Sequence, residues 1–434
     1  FKQHTITAEN LTGYYSFPYA ATAVHRKKDW AALIKGYSKY VWASEIYVAS
    51  NRYGRYPANG TVQLLNELGE QGSGFNQKGW DWNRFPAATV INLPIEHLET
   101  TKPLLMFRSN ESFVGSVQLN NNGLFSMQLD ESQGFNHEGN SKEESILTGE
   151  LKAKKSVFSF NNKLVFIGTD INSSDTKNPV QTNLFQSYLT EQDQPLATSL
   201  SGIVTEFPYQ ATLQLIKPNN TQTANIEEHL PNNWLIDPYG NGYHLLSASN
   251  VTISRKHQNS FHNKYSLHSG KMHPKGKGAT TTEGDFASAW LDHGTAPDNG
   301  AYQYVVYPFI SKTMNEAEIS NFAKMTSSKP SFQILQANTH AHIVTDHITK
   351  TTGYALFSAK ESLKHGLLSS TSAPALIMIQ KLEEKKATLS VVQPDLNFAQ
   401  LKPIDGYSRP VTLTLTLKGE WKTPKNMKVI SVNY

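Results

Sequence analysis

Residues 44–56 bring a carboxylate, a carboxamide and two guanidinium groups close together: Ser44-Glu45-Ile46-Tyr47 is followed by Asn51-Arg52-Tyr53-Gly54-Arg55-Tyr56. A carboxylate can move a proton or orient a group that does. Arginine forks meet carboxylates and sulfates through paired contacts. Further on, Gly79-Trp80-Asp81-Trp82-Asn83-Arg84 repeats the mixture of aromatic, amide and charged side chains. Tryptophan beside Arg, Asn and Asp suits sugars, whose rings stack on aromatic faces and whose hydroxyls take hydrogen bonds. Plain sheet packing produces the same alternation, and composition alone favours it. Composition alone also favours a salt-bridged strand-edge residue at Glu45. The chemistry in view is recognition of an acidic sugar. Glu45 is the catalytic candidate, and Asn51, Arg52 and Arg55 are candidate substrate contacts.

Other titratable clusters carry less. His137-Glu138-Gly139-Asn140 lies in a polar stretch and is assigned to the surface. His340 and His342 are two apart, so on a strand they would share a face, with His347 close by. Zinc would need a third converging ligand, and the sequence supplies none, so these read as solvent-facing strand histidines and no metal site is assigned. A glycoside hydrolase would need two facing carboxylates, and no pair can be nominated. Phe261–Ala279, rich in His, Lys and Gly, reads as a surface loop, with contact to an anionic ligand as its second reading.

Several segments taken together resemble the chondroitin sulfate ABC lyases of polysaccharide lyase family 8. They are Ser44–Tyr47, Asn51–Tyr56, Gly79–Arg84 and Asn172-Ser173-Ser174-Asp175, then Thr182–Gln186, Trp234–Asp237 with Asn241-Gly242-Tyr243, Ser288–His293 and Pro394–Asn397. They are collinear and cover nearly the whole chain. The resemblance implies a helical toroid, a multi-sheet β-sandwich and a small C-terminal β-domain, with this chain beginning at the toroid's end. It implies a catalytic His, Tyr and Arg on the toroid, an Asn there that binds the substrate carboxylate, and one Glu from the sandwich, which falls on Glu45. That Glu would orient the Arg and the Tyr. His137 resembles the stretch holding the family's His, but Ser141-Lys142-Glu143 follows where the family continues towards its Tyr. Hyaluronan-type relatives have Asn three residues after the Glu; this chain has Val48, so no sugar contact is carried over there.

The resemblance therefore implies an acidic glycosaminoglycan substrate (chondroitin, dermatan or hyaluronan), the N-terminal helical toroid portion as a partner, and a secreted or periplasmic bacterial location. No cofactor is required by the sequence, and a bound divalent cation such as calcium stays open. A non-catalytic carbohydrate-binding β-sandwich is the competing class.

The elements that must position these residues are mostly strands. The chain has 434 residues, more than one ordinary core holds, so two domains are expected: a large antiparallel multi-sheet β-sandwich over 1–325, its first ten residues the toroid's tail, and a small antiparallel β-domain over 326–434. A net charge of +4 is too small for a nucleic-acid binder. With no cysteine, no disulfide braces the fold. No apolar run approaches membrane-spanning length. Ala20–His25 and Trp30–Val41 read as a hairpin across Arg26–Asp29. Val157–Phe160 and Lys163–Gly168 read as another across Asn161-Asn162, where Asn tolerates positive φ. Leu376–Gln380 and Ala387–Val392 flank a charged turn at Glu383–Lys386. Val411, Leu413, Leu415 and Leu417 alternate with threonines, a half-buried strand pattern. One helix is predicted, with Thr313 and Glu316 as a capping box and Ile319, Phe322 and Ala323 as its apolar stripe. The polar run Thr326–Pro330 after it is the expected boundary.

Overall fold

The computed structural model describes residues 11–47, 51–98, 104–131, 134–135, 150–215, 232–248, 250–263, 280–359, 362–383, 386–398, 408–419 and 421. His137, Val48, the first ten residues and most of the 261–279 stretch lie outside them. The chain is mainly β, as expected, and its sheets are antiparallel.

A nine-stranded sheet forms the middle layer. Its inner strands include Gly300–Tyr307, Lys163–Ser173, Leu151–Phe160 and Asn122–Asp130, with Val114–Leu119 at one edge and Gly202–Val204 at the other. Both faces are buried, and the two-residue period sorts side chains between two cores. Leu164, Phe166, Tyr302, Tyr304 and Val306 point to the large core. Val165, Ile167, Val305, Phe158 and Phe160 point to the opposite one. The large core is closed by a four-stranded sheet containing Thr22–Arg26 and Ala31–Lys35 and by a five-stranded sheet containing Pro179–Tyr188, Val251–Phe261 and Thr281–Thr295. The opposite core is closed by the C-terminal five-stranded sheet, through Phe332, Val344, Ala355, Leu376 and Met378.

Both predicted hairpins form, Thr22–Arg26 with Ala31–Lys35 and Leu151–Phe160 with Lys163–Ser173, and Asn161 takes φ 46° at the second turn. The first is shorter than expected: its second strand ends at Lys35, with one more in-register bond from the Gly36 N–H to Ala21 O. Burial alternates along 411–417, yet only Leu415–Leu417 pairs, against Leu368–Thr371. The helix runs Glu316–Ser327 and buries Ile319 and Phe322. Its cap differs from expectation. Asn315, not Thr313, accepts from the Glu318 N–H, and the Glu318 carboxylate reaches back to the N–H groups of Lys312 and Thr313 and to both their neighbouring hydroxyls, Ser311 and Thr313. These donors hold its pKa down at about 2. Asn caps better than Thr, so the box sits two residues later. The helix ends at Ser327, inside the run Thr326–Pro330, and the C-terminal sheet starts at Phe332.

Polar groups are sealed between the middle sheet and the C-terminal sheet. Lys163 Nζ is 2.7 Å from Asp346 Oδ1, both nearly inaccessible to solvent. His342 is fully buried, its Nδ1 2.8 Å from Ser156 Oγ and its Nε2 3.0 Å from Thr169 Oγ1. Gly353 lets the backbone approach the middle sheet, since a Cβ there would stand 2.8 Å from the Phe158 ring. The expectation of solvent-facing strand histidines is thus corrected for His342. His340 and His347 are exposed, but His340 precedes the strand Ala341–Asp346, so it shares no strand face with His342.

Burial drives the pKa of His342 down to about 3, helped by nearby Lys154; His25 and His293 fall to about 3 for the same first cause. The folded pKa lies below the unfolded value of about 6.5, so the stability these neutral rings contribute is full above that value and is lost as pH falls towards 3. At pH 5 each costs about 2 kcal/mol. Asp237, raised by burial to about 6, works the opposite way over the same window, as do the carboxyls of Glu111 and Glu131, which burial also raises. Urea unfolding at pH 7.5 and pH 5 is expected to show a net loss at the lower pH, smaller than the roughly 6 kcal/mol of the three rings together. A flat profile would mean that these imidazoles are not held neutral.

Candidate active-site edge

Glu45 stands on a short ribbon. Glu45–Tyr47 pairs antiparallel with Leu104–Met106, Glu45 opposite Met106. Ile46 points inward and is buried, so the period of two turns Glu45 outward, where it is exposed. It makes no ion pair with any described residue. The salt-bridged reading therefore has no partner there.

Asn51 fixes this ribbon from beneath. Its Nδ2 donates to Glu45 O at 2.6 Å and to Ser44 Oγ at 3.3 Å, and its Oδ1 accepts from Asn263 Nδ2 at 2.8 Å. Asn263 in turn accepts the Tyr53 N–H at its Oδ1 and the Arg52 N–H at its backbone oxygen. Gly54 is required by this closeness, since a Cβ would stand 2.1 Å from Asn51 Oδ1. Asn51 is thus a positioning residue for the Glu45 backbone.

Arg52 and Arg55, the candidate substrate contacts, lie inside the protein surface. Arg52 is fully buried and Arg55 is 6 % exposed. Arg55 reaches His97 O at 3.4 Å and lies over the Tyr56 ring. Its charge opposes the burial that pushes the Glu131 carboxyl upward. The tryptophans follow the packing reading. Trp80 is buried among Phe75, Phe85 and Phe286, and buried Trp82 stacks near Tyr53 and donates its Nε1 proton to Phe261 O.

Next to this chain of contacts opens a cleft of about 370 Å³, lined by Asp81, Trp82, Lys256, His257, Asn259 and Phe261. Asp285 accepts from His257 at 2.7 Å and holds its pKa above the usual histidine value. The cleft's Trp82 stacks on Tyr53, whose N–H Asn263 accepts, and its Phe261 lies two residues before Asn263. Sequence reasoning missed Asn263, which falls in the stretch read as loop, and Arg108, whose buried guanidinium lies 4.2 Å over the Trp42 ring. Asn263 is 212 positions from Asn51, and no local signal links them.

The other motif segments turn out to be internal braces. Asp237 accepts from the N–H groups of Tyr239 and Asn241, from Asn241 Nδ2 and from Tyr243 OH. Asp175 binds Asn178 through N and Nδ2. Arg84 is clamped by Asp81, Asn183 Oδ1 and the Trp290 face. Among the described residues, no three His, Cys, Asp or Glu side chains group to hold a metal ion.

The antiparallel sheet covered on both faces is a sandwich of the polysaccharide-lyase kind. Residues 12–319 match polysaccharide lyase family 8, super-sandwich domain, and the chain belongs to that family. It is similar to the chondroitin sulfate ABC endolyase of Proteus vulgaris, 34% identical over 430 residues that cover 98% of this chain and 37% of that protein. It is also similar to a chondroitin sulfate ABC exolyase of Bacteroides thetaiotaomicron, 31% identical, covering 96% and 39%. The chain therefore spans under two-fifths of these relatives' length. In fold it is similar to a Paenibacillus xanthan lyase, TM-score 0.68 at 20% identity over 90% of this chain and 33% of that one. A chondroitinase AC lyase gives TM-score 0.64 at 19% identity over 93% and 51%.

Proposed function

We propose that this chain is the sandwich portion of an enzyme that cleaves glycosaminoglycans of the chondroitin, dermatan or hyaluronan type by β-elimination, with Glu45 as an orienting carboxylate. In that reaction the proton leaves C5, beside the uronate carboxylate, and the C4–O glycosidic bond breaks. The electron pair of the C5–H bond becomes the C4–C5 double bond, the leaving oxygen takes a proton, and no water enters. Charge builds on the carboxylate as C5 loses its proton, so the site needs cations or donors held there in advance. It also needs a base and an acid.

The observation that carries this reading is the outward Glu45, which makes no ion pair with a described residue, on a backbone pinned by Asn51 and Asn263. A carboxylate held out in this way suits the task of holding an Arg and a Tyr from a preceding helical portion. Residues 1–434 alone are then expected to give no unsaturated product from chondroitin sulfate, while the enzyme joined to that portion gives the ultraviolet absorbance of the C4–C5 double bond. Robust turnover by the isolated chain would overturn the division of labour. Saccharide binding without product from the joined enzyme would favour a binding module instead. A polymer substrate of this size points to action outside the cytoplasm.

A further inference from the structure

The C-terminal sheet carries a second cleft, of about 270 Å³, lined by Thr345, His347, Lys350, Tyr354, Ile379 and Lys381 among others. Tyr354 and Ile379 are buried and belong to its floor, while His347, Lys350 and Lys381 are exposed. The two lysines are held side by side, because the Lys381 N–H donates to Lys350 O at 3.0 Å. His347 is fixed by its N–H to Ser331 O at 2.8 Å.

The acid in this cleft is already engaged. Asp346 gives one oxygen to Lys163 at 2.7 Å and the other to the N–H and hydroxyl of Thr349, both at 2.7 Å. None of His347, Lys350 and Lys381 makes an ion pair with a described residue. A concave surface with a partly apolar floor and a cationic rim attracts anions, and its curvature favours a ligand that also offers ring surface.

We propose that the cleft between Lys350 and Lys381 binds a sulfate or carboxylate group of an acidic polysaccharide, as a second saccharide site on a different sheet from Glu45. It rests on the substrate class proposed above. The site would hold the polymer by its charge while the chemistry proceeds elsewhere. Its affinity should fall with salt, since the rim is solvent-exposed.

The test is calorimetric titration of the 434-residue chain with sulfated chondroitin oligosaccharides, beside inorganic sulfate and unsulfated hyaluronan oligosaccharides. Lys350→Glu with Lys381→Glu is expected to weaken sulfated-saccharide binding by about tenfold or more. Lys350→Gln with Lys381→Gln should weaken it less. Both lysines are exposed, so the melting temperature should hold. Binding by the charge-reversed variant as tight as that of the parent chain, at unchanged melting temperature, would overturn the site. So would uptake of inorganic sulfate with none of saccharide. Because the readout is binding by this chain, it is separate from product formation by the joined enzyme. The cleft can fail while the lyase reading stands, and the reverse.

Discussion

Replacing Glu45 by Gln in the complete enzyme is expected to lower kcat on chondroitin sulfate by about 10²–10³, with little change in KM. The size follows from the loss of one preorganised supporting contact, about 2.7–4 kcal/mol of barrier by analogy with oxyanion-hole donors. The loss falls on kcat because, in the proposed role of orienting an Arg and a Tyr from a preceding helical portion, Glu45 acts mainly in the transition state. Glu45 is exposed and makes no ion pair with a described residue, so the melting temperature should barely move. Asn51→Ala should behave differently. It removes the bond to Glu45 O and strands Asn263 Nδ2, so kcat and stability should fall together. A large drop in melting temperature for Glu45→Gln with near-normal turnover would show that its carboxylate serves folding.

The second large effect lies between the sheets. Lys163→Met should destabilise the protein by about 3–5 kcal/mol, because it leaves Asp346 buried and charged without its cation. The double variant Lys163→Met with Asp346→Leu should recover most of this, since well-packed apolar replacements of a buried pair are often neutral. Urea midpoints of the two variants decide it. A single variant as stable as the parent would mean that the pair is hydrated.

The strands were legible because hairpins are written locally. The apolar alternation around Asn161-Asn162 and the turn after Glu383 needed no distant partner to be read. The helix was also legible, but its cap was misplaced by two residues, because Thr313 and Asn315 are both capping residues and the stronger of the two, Asn315, takes the position. Glu45 was singled out through its motif, and its outward direction follows from the two-residue period beside buried Ile46.

What the sequence determined by itself was the β class, the main hairpins and the family's characteristic segments. Only the tertiary structure decided which polar residues face inward. Arg52, Arg55, Trp80 and Trp82 look like sugar contacts in one dimension, and all are buried. His342 looks like a surface residue and sits between two hydroxyls in a sealed interface. Burial depends on which sheet covers which face, and that is set by contacts such as Asn51 with Asn263, or Lys163 with Asp346, between residues more than 180 positions apart. Local spacing fixes the face a side chain takes on its strand, while only the packing of one sheet on another determines whether that face meets water.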